Sequence, residues 1–323
     1  MDFTGQRVLV TGGAGFLGAN LCHALAARGA RVTALDGFLF GGGANPANLD
    51  GSDVELVRAD IRETDLRPLC EGVSVIFNLA AQTSHMGGQR DPLADIAVNA
   101  VAQVRLIQAA REAAPDAVVV HASTRQFYGR PAYLPVDEKH PVAPPDANGV
   151  SKFAGEQYWM IEHRTAGRPV VALRLTNCYG PRLRIRDARQ TFLGIWIRCV
   201  LEGKPFEVWG GEQLRDMTYV DDVTDAFLRA ATTPSCHGGV YNIGGPPPAT
   251  LLEIAELMRR VGGPSVQFTT REFPADRKTI DICSYQSNDA AFRAATGWAP
   301  SVSLEEGIRR SLDWYRTRLA AYL

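Results

Sequence analysis

The chain has 323 residues, 46% of them hydrophobic and 21% charged, with a formal net charge of −1; this balance suits one large globular domain or two closely joined ones. Near-neutral charge without a Lys/Arg-rich run gives no electrostatic footprint for nucleic acid or a membrane surface, and no apolar run approaches the roughly 18 residues of a membrane span. The six cysteines lie far apart with no C-x-x-C pair, so they read as free thiols of a reducing compartment, not as a disulfide framework or a metal site. The N-terminus runs straight into a strand pattern without a basic and then apolar leader, and a cytoplasmic protein is expected.

Short apolar strands alternate with amphipathic segments. "RVLVTG" (7–12) leads into "FLGANLCHALAARGA", whose apolar residues repeat at helical spacing. "RVTALD" (31–36), "VELVRAD" (54–60), "VSVIFNLA" (73–80) and "AVVVHAST" (117–124) follow, with a long helix expected over about 93–113. Strands separated by helices predict a doubly wound α/β fold, a parallel Rossmann sheet covered on both faces. "TGGAGFLG" sits at the first strand-to-helix junction. Gly12, Gly15 and Gly18 allow a tight turn, a pyrophosphate on the helix N-terminus and close helix packing, with Phe16 and Leu17 opening the helix. Asp36 ends the second strand, 18 residues after Gly18, where a carboxylate can bond the adenosine ribose hydroxyls and repel a 2′-phosphate. The expected cofactor is therefore NAD. Asp60 and Ile61 end the third strand, where they could meet the adenine. Leu79, Ala80 and Ala81 end the fourth with small residues that let backbone approach the cofactor.

After about residue 178 the alternation breaks down, and Rossmann-like pieces return in "MTYVDD" and "VYNIGG". The expected organisation is an NAD-binding domain over 1–178 with returning segments at about 217–245, and a smaller substrate-binding lobe from about 179–216 and 246–323. Ligands of such sheets bind at the carboxyl ends of the strands, in the crevice between lobes.

"TGGAGFLG", "NLAAQ", "STRQFYG", the "SK" that follows Asn148, "RLTNCYGP", "LRDMTYVDD" and "TGWAP…SLEEGI" occur in this order. Together they resemble the extended short-chain dehydrogenase/reductase family, the nucleotide-sugar epimerases and dehydratases. The resemblance spans nearly the whole chain and is far more specific for family than for substrate. It implies a nucleotide-diphosphate sugar as ligand, with Asn177 and Arg215 on the diphosphate, Arg277 or Lys278 as a candidate second cation, and Ser84 beside the substrate. It also implies Asn99 as a brace of the cofactor and active site, and a homodimer built on the helices at about 93–113 and 149–166, where Phe153, Trp159 and Met160 exceed one core stripe.

By the same resemblance Thr124 would bond the sugar hydroxyl being oxidised, a tyrosine would take its proton, and Lys152 would bind the nicotinamide ribose and lower the phenol pKa. Asn148 occupies the tyrosine position, and an amide cannot be a general base. Lys152, Tyr128 and His85 are the candidate replacements. Arg125 is a candidate for the cation that would lower the lysine pKa. The Asp–Glu pair of the usual 4,6-dehydratases is Arg125–Gln126 here, which disfavours that dehydration and puts positive charge where a sugar carboxylate could sit. A C4 epimerase is the leading expectation. The alternatives are a dehydratase, decarboxylase or oxidoreductase, and a silent NAD- and nucleotide-sugar-binding protein. No metal is expected.

Overall fold

The computed structural model describes residues 1–39, 42–187, 191–274 and 281–323. In chain order the first part gives β1 (Arg7–Thr11), α1 (Phe16–Ala26), β2 (Arg31–Asp36), β3 (Glu55–Arg58), α2 (Arg67–Cys70), β4 (Val75–Asn78), α3 (His85–Arg90), α4 (Pro92–Ile96), α5 (Ala102–Ala113), β5 (Val118–Thr124), α6 (Ala147–Ala166) and β6 (Val170–Leu175). A π-helical turn, Ala97–Val101, joins α4 to α5. There follow β7 (Asn177–Tyr179), α7 (Phe192–Leu201), β8 (Phe206–Trp209), β9 (Leu214–Arg215), β10 (Met217–Tyr219), α8 (Val220–Thr232), β11 (Val240–Ile243), β12 (Ala249–Thr250), α9 (Leu251–Gly262), β13 (Phe268–Arg271), α10 (Ala290–Thr296) and α11 (Leu304–Arg316).

The central sheet is parallel throughout, in the order β11-β6-β5-β4-β1-β2-β3. Its inner strands are apolar on both faces because helices cover both: Val8, Leu9 and Val10 are buried, as is every residue of β6. The chain winds outward from β1 through β2 to β3, then returns to build β4, β5, β6 and β11 on the other side. The order therefore reverses between β1 and β4, which opens a crevice at their carboxyl ends.

A second apolar core lies beyond the sheet. Trp196 of α7, Phe206 of β8, Ile254 and Met258 of α9, and Ile308, Leu312 and Tyr315 of α11 pack together around the β8–β13 pair. Between the two cores lies a cleft of about 320 Å³, lined from the sheet side and by Thr176, Asn177, Leu183 and Thr191. Among the described residues no helix is long and apolar enough to cross a membrane.

Candidate active site

The glycine loop closes the crevice at the strand-order reversal. Gly12 has φ +70°, and a Cβ there would meet the Leu79 carbonyl carbon and oxygen at 2.9 Å. A Cβ on Gly18 would collide with the Gly12 carbonyl oxygen. The start of α1, at Gly15, has no side-chain cap, so its N–H groups remain available to an anion. This cradle fits a dinucleotide pyrophosphate. Asp36 accepts the Ala14 N–H at 3.1 Å and the Phe38 N–H at 3.0 Å while lining the cleft. Burial pushes its pKa up, and those donors oppose the shift. Asp60 and Ile61 line the same end. Asp60 is tied to its neighbour Arg62 at 2.6 Å, chiefly through which its pKa falls. The Leu79, Ala80 and Ala81 stretch follows β4 into the cleft wall, and Thr11 Oγ1 pins it by accepting the Leu79 and Ala80 N–H groups at 3.2 and 3.1 Å.

Helix α6 places the next set. Asp146 caps it by accepting the Gly149 N–H at 2.7 Å, and Asn148 falls in its first turn. The Asn148 amide is 1% exposed. Its Nδ2 donates to Asp95 Oδ1 and to the Gln82 carbonyl, each at 2.9 Å. Both partners are pure acceptors, so the amide can only be oriented this way. Asp95 is wholly buried and also receives Ser151 Oγ and, at 3.2 Å, Asn99 Nδ2. Asn148 therefore completes a buried polar knot, from the edge of the cleft.

One turn on, Lys152 lines the cleft and makes no hydrogen bond among the described residues. Burial pushes its pKa down to about 8, and the Asp95 charge partly offsets this. Arg125 does not contribute to that shift. Thr124 ends β5 facing the same cleft, and its Oγ1 accepts the Gln126 N–H at 3.2 Å. The hydroxyl keeps its own proton to donate.

Arg125 turns away from the lysine. Its Nη2 donates to Asn177 Oδ1 at 3.1 Å, and its guanidinium lies 4.6 Å from the centre of the Tyr285 ring. Nη1 is buried without a hydrogen-bond partner among the described residues. Burial lowers its pKa to about 10, which leaves it charged at neutral pH. His85, at the start of α3, also lines the cleft. Its Nδ1 lies 2.9 Å from Asp146 Oδ2.

Several expected site residues do not reach this cleft. Tyr128 is fully buried; its hydroxyl donates to Asn242 Oδ1 at 2.9 Å and accepts from Arg174 Nη1 at 2.6 Å. Burial pushes its phenol up to about 12. The physical reason is Arg174, a cation on an otherwise apolar strand, which needs both Glu156 and this phenol as partners. Ser84 spends its hydroxyl on the Gly87 N–H at the start of α3. Asn99 accepts the Gln82 N–H at 2.9 Å and donates to the Gln82 carbonyl at 3.1 Å, so it braces the loop after β4 from behind. Arg215 is held by Asp281 at 3.3 Å and by the Cys283 carbonyl at 2.6 Å. Arg277 and Lys278 lie outside the described residues. Asp95, Gln82 and Ser151 were not expected at the site; the bonds that join them to α6 or α4 span 53 or more residues. Asp146 was readable as a helix cap, but its contact with His85 was not.

These features define a dinucleotide-dependent enzyme site. The NAD dependent epimerase/dehydratase family model matches residues 8–244, and the chain belongs to that family. Its cofactor is NAD. The chain is 34% identical to the UDP-glucose 4-epimerase of Mycolicibacterium smegmatis, over 97% of this chain and 99% of that one. It is 29% identical to UDP-glucuronic acid decarboxylase 1 of Arabidopsis thaliana, over 97% of this chain and 70% of that one. The structure of the Bacillus cereus UDP-glucuronic acid 4-epimerase in complex with UDP-glucuronic acid and NAD superposes with a TM-score of 0.84. That match has 28% identity and covers 97% and 99% of the two chains.

Proposed function

We propose that the protein is an NAD-dependent nucleotide-sugar 4-epimerase in which a group other than tyrosine moves the proton. The observation that carries this reading is the convergence of Thr124, Lys152 and the glycine cradle on one cleft, with Asn148 locked into the Asp95 knot. The chemistry supplied by bound NAD is reversible hydride acceptance at its nicotinamide. The glycine loop and Asp36 would hold the dinucleotide, and Lys152 would hold the nicotinamide ribose. Thr124 would donate to the sugar hydroxyl oxygen as it becomes a carbonyl. Asn177, which lines the cleft, would serve the diphosphate, and Arg215 would join it only by leaving Asp281 and the Cys283 carbonyl. Removal and return of hydride on opposite faces inverts C4 with no net redox change.

A second reading, decarboxylation of a uronic acid, is favoured by Arg125. A charged guanidinium with an unpaired N–H is a costly group to bury, and a sugar carboxylate would satisfy it. Both readings share the C4 ketone. We place the enzyme in the cytoplasm as a homodimer. Trp159 and Met160 are core residues, so they are not the interface surplus that the sequence suggested. Leu93, Ile96 and Val101, with Val150, Tyr158 and Ile161 of α6, are exposed instead, and a two-fold pairing would cover them. Incubation with UDP-, dTDP-, GDP- and CDP-sugars, with products read by NMR, tests the function. C4 epimers without accumulating reduced cofactor support the first reading, and a pentose product supports the second.

A further inference from the structure

Resting on the epimerase reading, we propose that the His85–Asp146 pair is the acid–base group that stands in for the phenol. Two alternatives lose their claim on geometry, because Tyr128 is sealed beneath Arg174 and Asn148 is tied to Asp95. The first turn of α6 still presents a proton-handling arrangement, two residues before Asn148. Asp146 has a side chain with no exposure, and three donors or near-donors surround it. These are the Gly149 N–H at 2.7 Å, Gln126 Nε2 at 3.1 Å and His85 Nδ1 at 2.9 Å. Burial works against its ionisation, but His85, Gly149 and Gln126 together hold its pKa below the usual carboxylate range.

The imidazole is turned accordingly. Nδ1 is buried, whereas the side chain as a whole is 41% exposed and lines the cleft. Nδ1 lies 2.9 Å from Oδ2 without a well-aligned hydrogen bond to it, and catalytic contacts of this kind commonly tighten only when substrate is bound. With Nδ1 facing the carboxylate, Nε2 is the nitrogen left for the cleft. Gln126 links the pair to Thr124, because its side chain touches Asp146 and its N–H is accepted by Thr124 Oγ1. The imidazole is the side chain that takes up and releases protons near neutral pH, and a buried carboxylate behind it fixes the tautomer and compensates the cation.

The step balances. The C4 hydroxyl O–H breaks and an Nε2–H bond forms while hydride leaves C4 for the nicotinamide, giving the ketone. On return, hydride reaches the opposite face of C4 and the Nε2 proton returns to O4. His85 would be a catalytic residue and Asp146 a positioning residue.

The test uses the NAD-loaded enzyme with UDP-glucose and UDP-glucuronic acid. H85A should lower kcat by roughly 10²–10⁴-fold, leave UDP and NAD affinities within a few-fold by calorimetry, and regain turnover with added imidazole. D146N keeps a good helix cap but removes the charge, and should lower kcat about tenfold or more. Independently of turnover, ¹⁵N NMR should show His85 as the Nδ1–H tautomer in the parent and a mixed tautomer in D146N. An active parent that is indifferent to H85A, with K152A silent instead, overturns the pair and assigns the proton to Lys152. A parent with an Nε2–H tautomer also overturns it. A parent that turns over no nucleotide sugar refutes the epimerase reading, and with it the catalytic use of the pair.

Discussion

Asn148 should matter to stability, not to proton transfer. N148A deletes one hydrogen bond to a buried carboxylate and one to a backbone carbonyl. A bond to a charged group contributes about 1.5–3 kcal/mol and a neutral one about 0.5–1.5 kcal/mol, so the expected loss is roughly 2–4.5 kcal/mol. N148Y loses the same bonds and must also place a ring where α3 is already packed closely. A Cβ at Gly88 would come within 3.3 Å of the Asn148 Cβ and 2.8 Å of Asp95 Oδ1, and overpacking of this kind adds about 1–3 kcal/mol. Urea unfolding followed by tryptophan fluorescence measures both variants, and turnover of the active sugar is read in parallel. The expected outcome is a destabilised N148A that keeps kcat within about tenfold, a change smaller than loss of a true base, and an N148Y with no gain in turnover. A loss below about 0.5 kcal/mol in N148A would refute the knot. A silent parent that N148Y switches on would show that the missing base was a phenol.

Asp36→Ala should weaken NAD binding and relax discrimination against NADP, since the carboxylate beside the ribose site is removed; titration showing tighter NADP binding by the parent contradicts this. Lys152 has a folded pKa near 8, below its ordinary 10.5, so the unfolded chain binds more protons between those values and stability should rise with pH across that window. K152M should accordingly gain most over the parent at pH 7 and lose that advantage progressively between about pH 8 and 10.5; a pH-independent difference in denaturation midpoints would oppose the burial argument. Arg125→Met should weaken UDP-glucuronic acid relative to UDP-glucose by about tenfold or more while leaving UDP itself unchanged, because a charge-assisted bond contributes about 1.5–3 kcal/mol. Equal losses for all three would place Arg125 on the diphosphate. Val150→Asp with Tyr158→Asp should give monomers in sedimentation; a parent monomeric at micromolar concentration contradicts the interface.

The placement of the glycine loop, Asp36, Thr124 and Lys152 on the cleft was legible because it follows local patterns: a strand end, a helix start, a fixed spacing on one helix. Their meeting in one cleft follows from the strand order. Tyr128 misled because a phenol near an active-site strand looks available, and only the packing shows Arg174 claiming it. Arg125 was expected as the cation beside Lys152, but it lines the cleft with Asn177 as its hydrogen-bond partner and does not act on the lysine. The knot around Asn148 was invisible because Asp95 lies on α4 and Gln82 follows β4, so their meeting with α6 is tertiary. His85 was a candidate by residue type alone, and its contact with Asp146 is likewise tertiary.

The proposed reaction is C4 inversion by hydride removal and return without a tyrosine. The most direct measurement uses UDP-glucose and UDP-glucuronic acid deuterated at C4, with the purified NAD-loaded protein in ordinary water and products read by NMR. The expected product is inverted at C4 and retains its deuterium there, with no net reduced cofactor. Product whose label has washed out to solvent, or no inverted product from any nucleotide sugar tried, would contradict it.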